Sequence, residues 1–521
     1  MPAFSRLALL SVLLAAGCAT VVDSESSTTS SSAGSGGAST SSSAGTGGGA
    51  TTSSSTGGAT TSSSTGTGGQ AGGAPCATWS WTRATTGFDA TNLVAIDPAT
   101  GDIFAAGYFT DTIDDGSGPV ETENGWDAFL VRFKPTGEIV WSRAFGGKGS
   151  DEITTLAVDP SGDIVIGGSF TESISFGGPT LTTTTQFTMF LARLDAGGNH
   201  VWSRSLGYPV GAHVAIDPAG DIVLAGNFMG TLDLGGGPLI ATKPPPGSFG
   251  IPVPDIFLAK LTATGAHVWS KRFGDPSVEL ADHVAVAPDG TIAVTGLYDS
   301  ANLDFGGGAL PFNKTPGLFL ATFDPAGHLL WSKGFLGPPA FSPPDTLSPI
   351  DARALAVAPG GDILLAGDFM GVTDFGAGTL TTADPLDRNL FVTRFDASGG
   401  VLWTRQFTDQ SGDQDIAGGT LDAAGRFTFT GLFRGSIDFG GGSLASTADE
   451  RDIFVAQLDA AGNHTWSAGY GGPGLDRGFS VAVDGTGSVF LGGTYTQTLP
   501  LGCTSLTGAG ELDAFVARID P

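Results

Sequence analysis

Beyond residue 77 the chain is written in short runs of alternating apolar and polar residues, set out in pairs. Examples are DAFLVRFKPTGEIVWSRAFGG from Asp127, DIFLAKLTATGAHVWSKRFGD from Asp255, NLFVTRFDASGGVLWTRQFTD from Asn389 and DIFVAQLDAAGNHTWSAGYGG from Asp452. An alternation of period two, broken by a Gly-containing turn, predicts a β-hairpin. A second hairpin type follows each Trp run: LAVDPSGDIVIGGSF from Leu156, VAIDPAGDIVLAGNF from Val214, VAVAPDGTIAVTG from Val284. Its Asp-Pro-x-Gly turn puts Pro where φ near about −65° is wanted and Gly where a left-handed residue is needed. One repeat therefore predicts four short antiparallel strands.

Tryptophan supplies the period. From Trp81 through Trp141, Trp202, Trp269, Trp331, Trp403 and Trp466 the gaps are 60, 61, 67, 62, 72 and 63 residues. Four short strands per unit of that length are the arithmetic of a propeller blade. The first-strand type appears seven times, near 94, 156, 214, 284, 355, 420 and 481. The third-strand type also appears seven times, ending in DAFVARID at 513–520, where the unit stops one strand short. The missing Trp strand stands at the other end, in TWSWTRA from Thr78. A ring has reason to split one unit across its termini, whereas an open solenoid or a pair of sandwiches does not. The fold class predicted is all-β: a seven-bladed β-propeller over 76–521, closed by its N-terminal strand joining the last blade.

The pattern D-x-F-x-A-x-L-D-x-x-G-x-x-x-W, then G-G, then A-V-D-P-x-G-D-I, resembles the SBBP-type β-propeller repeat of bacterial secreted proteins. The resemblance covers residues 77–521 and implies an architecture; it carries no shared activity.

The N-terminal part reads differently. Arg6 and the apolar run Leu7–Leu14 form an export signal, too short to span a bilayer. Ala15-Ala16-Gly17-Cys18 resembles the bacterial lipobox, with Ala15 where Leu is commonest. That resemblance implies a signal peptide over 1–17, lipidation of Cys18 and, with Ala19 next, an outer-membrane or cell-surface lipoprotein. Residues 19–75 are nearly all Ser, Thr, Gly and Ala and cannot bury a core. Residues 18–75 are thus expected to be a lipidated, disordered tether.

Composition limits the partners. With 51 acids against 23 bases the formal charge is −28, which repels nucleic-acid phosphates and anionic headgroups. The membrane is reached through the lipid alone, and a monomer is expected.

No catalytic constellation is legible: no H-E-x-x-H, nucleophile elbow or phosphate loop occurs. The six His (200, 213, 267, 283, 328, 464) fall at repeat positions, where strand-edge roles are expected. Asp97, Asp159, Asp217 and Asp484 read as turn residues. Asp89, Asp151, Glu279 and Asp476 share a position just before the first strand, with Asp351, Asp413 and Asp415 nearby. There they would circle the channel mouth, either bonding loop backbone or forming a cation-attracting rim with weak divalent-cation affinity. No D-x-D-x-D-G loop is present, so no tight metal site and no cofactor are expected. Cys76 and Cys503 both belong to the blade where the termini meet, which makes them a candidate disulfide. They lie in connections that start from opposite rims, so the segment LPLGCTSL must fold back for the two to meet.

These features point to a non-enzymatic envelope module that binds or scaffolds a protein or glycan. The alternatives are a channel-mouth enzyme of lyase or glycoside hydrolase type, and a structural spacer. Two Pro-rich inserts, Lys243 to Pro254 and Leu336 to Ile350, account for the longest gaps and mark one rim as the variable face.

Overall fold

The computed structural model describes residues 60–63 and 75–521, apart from 84–86, 111, 115–118, 123–124, 186, 208, 244–252, 340–347, 409–412, 448–449 and 510. The signal segment, Cys18 and most of the tether lie outside the described residues. The tether contributes one short strand, Thr60–Ser63, antiparallel to Ala77–Arg83. An unpaired outer edge needs only backbone partners, which a Ser/Thr run can supply.

Seven four-stranded antiparallel blades form a β-propeller. Blade 1 runs Ala90–Ile96, Ile103–Phe109, Asp127–Phe133 and Ile139–Phe145, each strand pairing with the next. Blades 2 to 6 repeat that order, their first strands being Asp151–Val158, Pro209–Ile216, Glu279–Val286, Ile350–Val357 and Gln414–Leu421. Blade 7 consists of Arg477–Val483, Val489–Tyr495 and Asp513–Ile519, and its fourth strand is the N-terminal Ala77–Arg83. The closure inferred from the split repeat is therefore the observed one.

The buried apolar residues fall into seven clusters, and each cluster straddles one seam between adjacent blades. Alternation explains this placement. A strand buried on both faces sends its side chains alternately to its two neighbouring blades. The third strands, such as Asp255–Leu261, are buried along their whole length.

The repeat Trp is a latch between blades. Trp141 Nε1 donates to the carbonyl of Ala196 at 3.1 Å, in the third-to-fourth-strand turn of the next blade. Trp202, Trp269, Trp331 and Trp403 do the same to Ala263, Pro325, Ala397 and Ala460, and in the closing strand it is Trp79, not the Trp81 from which the period is counted, that holds this position and donates to Pro135. The Gly of each D-x-x-G turn lies under the indole of the preceding blade; at Gly462 a Cβ would stand 2.7 Å from the Trp403 ring. Trp466 Nε1 is buried without a partner. The carbonyl it would need belongs to the position of Pro521, where the seam between the termini falls.

The disulfide between Cys76 and Cys503 is formed, with Cα atoms 5.1 Å apart. The fold-back that it requires is a repeat feature. In most blades the second-to-third connection is a small hairpin, such as Ser436–Asp438 with Ser443–Ala445, that returns along the outer side of the blade. Its Gly tip rests on the fourth strand: a Cβ on Gly441 would sit 2.1 Å from the His464 ring. In blade 7 the equivalent hairpin is Thr498–Pro500 with Ser505–Thr507. Cys503 takes the place of the tip Gly and Cys76 lies at the start of the fourth strand, so a covalent bond replaces the Gly–His contact.

Candidate functional site at the channel mouth

The first strands line the central channel. All seven skip a residue in their pairing with the second strand: six leave Asn92, Thr154, Asp282, Arg353, Ala417 and Phe479 bulged beside a second-strand Gly, and in blade 3 the skip falls earlier, at Val210. The second-strand Gly opposite is required by close approach; on Gly296 a Cβ would meet the Leu280 carbonyl oxygen at 2.0 Å. A bulge re-aims a side chain. In blades 4 and 5 the re-aimed residues are charged, Asp282 and Arg353.

Arg353 organises the wall across blades 5 and 6. It lies 3.1 Å from Asp368, 3.4 Å from Asp415 and 3.7 Å from Asp351. Arg388 lies 3.7 Å from Asp351 and also pairs closely with Asp368. Asp368 is fully buried, while Arg353 and Asp415 remain partly open to the channel. Burial raises the Asp351 carboxyl above its ordinary range against the pull of Arg353 and Arg388. Asp282 is pushed up to about 7 by burial and then by the Asp351 charge, with Arg353 opposing.

Two His complete this side. His213 and His283 occupy matching positions on the first strands of blades 3 and 4, their ring centroids 5.5 Å apart. Burial pushes His213 down to about 4. Burial, followed by the charges of His213 and Arg353, pushes His283 down to about 3. Both are neutral at neutral pH. The wall thus offers neutral imidazoles, guanidinium donors and carboxyl acceptors side by side, a set suited to hydroxyl, amide or charged groups of a ligand.

The residues singled out from sequence fall elsewhere. Asp89, Asp151, Glu279 and Asp476 are fully buried, so the expected solvent-facing rim is not what they form. The backbone explains their burial. Before entering its strand each acid is pinned over the previous blade, as Asp151 N–H donates to Trp126 O at 2.7 Å and Asp476 N–H to Arg451 O at 3.0 Å. Burial, then the Asp127 charge, pushes Asp151 up to about 8. Burial, then Asp275, pushes Glu279 up to about 9. Asp476 rises to about 7, chiefly by burial.

The turn acids do cap their turns, as when the Ser161 amide donates to Asp159. They are also paired with a third-strand base that the sequence reading passed over: Arg132 with Asp97, Arg193 with Asp159 and Lys260 with Asp217. His200, His267 and His464 sit beneath hairpin tips and bond Ser203, Ser270 and Ser467. His328 pairs with Asp324 at 2.9 Å. For His213 and His283 the strand-edge expectation is corrected: they line the channel. The missed signal was a charged or imidazole residue in the middle of a first strand, where other repeats carry uncharged residues such as Leu93, Thr155, Gly418 and Ser480.

No family model matches the chain. It is 21% identical over 450 residues to an uncharacterised WD repeat-containing protein of Acanthamoeba polyphaga mimivirus, covering 71% of this chain and 31% of that protein. The chain thus spans about a third of that relative's length. Among solved structures it is similar to hydrazine synthase of Kuenenia stuttgartiensis, at 12% identity, 77% of this chain, 92% of that one and a TM-score of 0.41. Sqt1 of Chaetomium thermophilum is similar at 12% identity, with 84% and 99% coverage and a TM-score of 0.38. A polysaccharide lyase described as an ulvan lyase is similar at 11% identity, with 82% and 96% coverage and a TM-score of 0.39.

Proposed function

We propose that the chain is an exported, lipid-anchored binding module of the SBBP type, whose propeller receives a protein or glycan segment at the channel mouth over blades 3 to 6. The observation that carries this reading is the Asp282, Asp351, Arg353, Arg388 and Asp415 wall, which departs from the repeat on that side alone. Residues that only hold blades together recur from blade to blade; these do not. The two inserts flank the same rim, since both lie in connections that end there. The centre of each insert lies outside the described residues.

A mature-domain pull-down from envelope extract and a glycan array test the proposal. The expected result is a ligand retained by wild type and lost from Arg353→Ala. Binding that is unchanged by Arg353→Ala and by deletion of either insert would reject the site, and no ligand in either assay would favour a spacer.

A second reading rests on Asp282. A carboxyl held near 7 beside a guanidinium is the equipment of general acid–base chemistry. The retained ligand distinguishes the two: cleavage by wild type that Asp282→Asn abolishes makes the module a lyase or hydrolase.

A further inference from the structure

Trp126 stands apart from the repeat. The other eight tryptophans lie in fourth strands, whereas Trp126 directly precedes the third strand of blade 1, on the rim where each blade hands over to the next. It is 38% exposed, and Phe88, just before the first strand of the same blade, is 45% exposed.

Pairing places the two on one face. Ala90 pairs with Tyr108, and Tyr108 with Ala128. Phe88 and Trp126 each lie two residues before one of these partners, so alternation sends them to the same side as Tyr108. Tyr108 is half-buried, its ring centroid 5.9 Å from that of Trp126 and tilted by 46°. Deeper on that side, Phe104, Ala106, Ala128 and Leu130 enter the buried core of the 1/2 seam. The three rings are the end of that seam which opens to solvent.

The backbone holds the array in place. Phe88 N–H donates to Thr110 Oγ1 at 2.7 Å, and Phe88 O accepts the Thr110 N–H at 3.2 Å. Trp126 O accepts the Asp151 N–H at 2.7 Å. The loop entering blade 2 runs alongside: a Cβ on Gly125 would stand 2.5 Å from Ser150 Oγ and 2.6 Å from the Gly149 carbonyl oxygen. Hydroxyl and carbonyl groups therefore border the rings.

No other blade has more than one aromatic residue at these three positions. Blade 5 has Pro349, Asp368 and Arg388 there, and blade 6 has Asp413, Leu432 and Arg451. Elsewhere the rim is tied by ion pairs, as Arg272 pairs with Asp255 at the 3/4 seam. Blade closure thus needs no rings at this place. Large rings gathered at one exposed point mark an interaction site, where singly scattered ones would not.

We propose that Phe88, Tyr108 and Trp126 form a platform that binds a neutral polysaccharide, at a site separate from the charged wall of blades 3 to 6. A pyranose ring has an apolar C–H face and a border of hydroxyls. The C–H face suits the electron-rich faces of the aromatic rings, and the hydroxyls suit Ser150 and the Gly149 carbonyl. None of the three platform side chains is charged, and the formal charge of −28 repels anionic chains.

Affinity electrophoresis of the full chain in gels containing galactomannan, xyloglucan or hydroxyethyl cellulose tests this, with polygalacturonate as the anionic comparison. At least one neutral polymer should retard wild type. Trp126→Ala should weaken that binding by about tenfold, the scale of losing one aromatic anchor. Trp126→Tyr should keep most of it, and Val201→Ala, an exposed apolar control on an outer strand, should keep all of it. Hydroxyl-radical footprinting of wild type gives a reading independent of variant folding: saturating polymer should protect Trp126 and Phe88. No retardation by any neutral polymer, equal retardation of wild type and Trp126→Ala, or no protection overturns the proposal. Binding lost in Arg353→Ala and kept in Trp126→Ala, or stronger retardation by polygalacturonate, would assign the glycan to the charged wall. Displacement of the polymer by choline chloride would make the rings a cage for an ammonium group. Each of these outcomes overturns it as well.

Discussion

Trp331 Nε1 donates to the carbonyl of Ala397 at 2.9 Å, joining the outer strand of blade 4 to a turn 66 positions further along the chain. The indole also covers Gly399, where a Cβ would stand 3.0 Å from the ring. Two contributions are separable. Trp331→Phe keeps the ring and loses the hydrogen bond, for an expected cost of about 1 kcal/mol. Trp331→Ala loses the packing as well, at about 3–5 kcal/mol, less what the half-buried ring keeps in water. Urea melts of the two variants should rank in that order. Equal losses would mean that the ring contributes nothing beyond its N–H.

The disulfide closes a loop spanning 427 positions. In the loop-entropy model such a bond adds roughly 5–6 kcal/mol by restricting the unfolded chain. Cys503→Ser should lower the melting temperature by as much as reduction lowers that of wild type, and reduction should then have no effect on the variant. Titration of the denatured, unreduced propeller domain should find no free thiol.

The ring was legible because its signals are local and repeated. Trp spacing gave the unit, Asp-Pro-x-Gly and D-x-x-G gave the turns, and the orphan third strand at 513–520 gave the closure. The latch was not legible, because it links each Trp to a turn about one repeat away, and spacing alone does not pair them. Cys76 and Cys503 were placed in the right blade, but the returning hairpin that brings them together is a tertiary feature. The acids at 89, 151, 279 and 476 were found as a set, and of their two readings the bonding of loop backbone holds, as when Asp476 accepts the Gly472 N–H, while the solvent-facing rim does not. Their burial depends on a backbone crossing over the neighbouring blade, as when Asp476 N–H meets Arg451 O. The channel wall was missed because Asp282 and Arg353 sit on bulges, and a bulge breaks the alternation that sequence reading follows.

Lipidation is tested through Cys18. Radiolabelled palmitate should enter the wild-type chain and not Cys18→Ser, and the variant should leave the membrane fraction. Equal labelling of both would remove the anchor from the proposed function without touching the propeller.

Glu279 gives a pH dependence whose sign is fixed by its surroundings. It is fully buried at the 3/4 seam, and Asp275 N–H donates to its Oε2 at 3.3 Å. Burial, then the Asp275 charge, raises it from 4.5 to about 9. The folded chain therefore keeps a proton on Glu279 across neutral pH, while the unfolded chain releases it above 4.5. The folded state binds more protons throughout that window, so stability falls as pH rises, by at most about 1.4 kcal/mol per pH unit. Glu279→Gln keeps the acceptor and removes the titration. Wild type and variant should be closest in stability near pH 4.5, with the variant gaining steadily up to about pH 9. Chemical denaturation at a series of pH values measures the gap. A gap independent of pH would mean that Glu279 is ionised in the folded chain, with Arg272 neutralising it as well as Asp255.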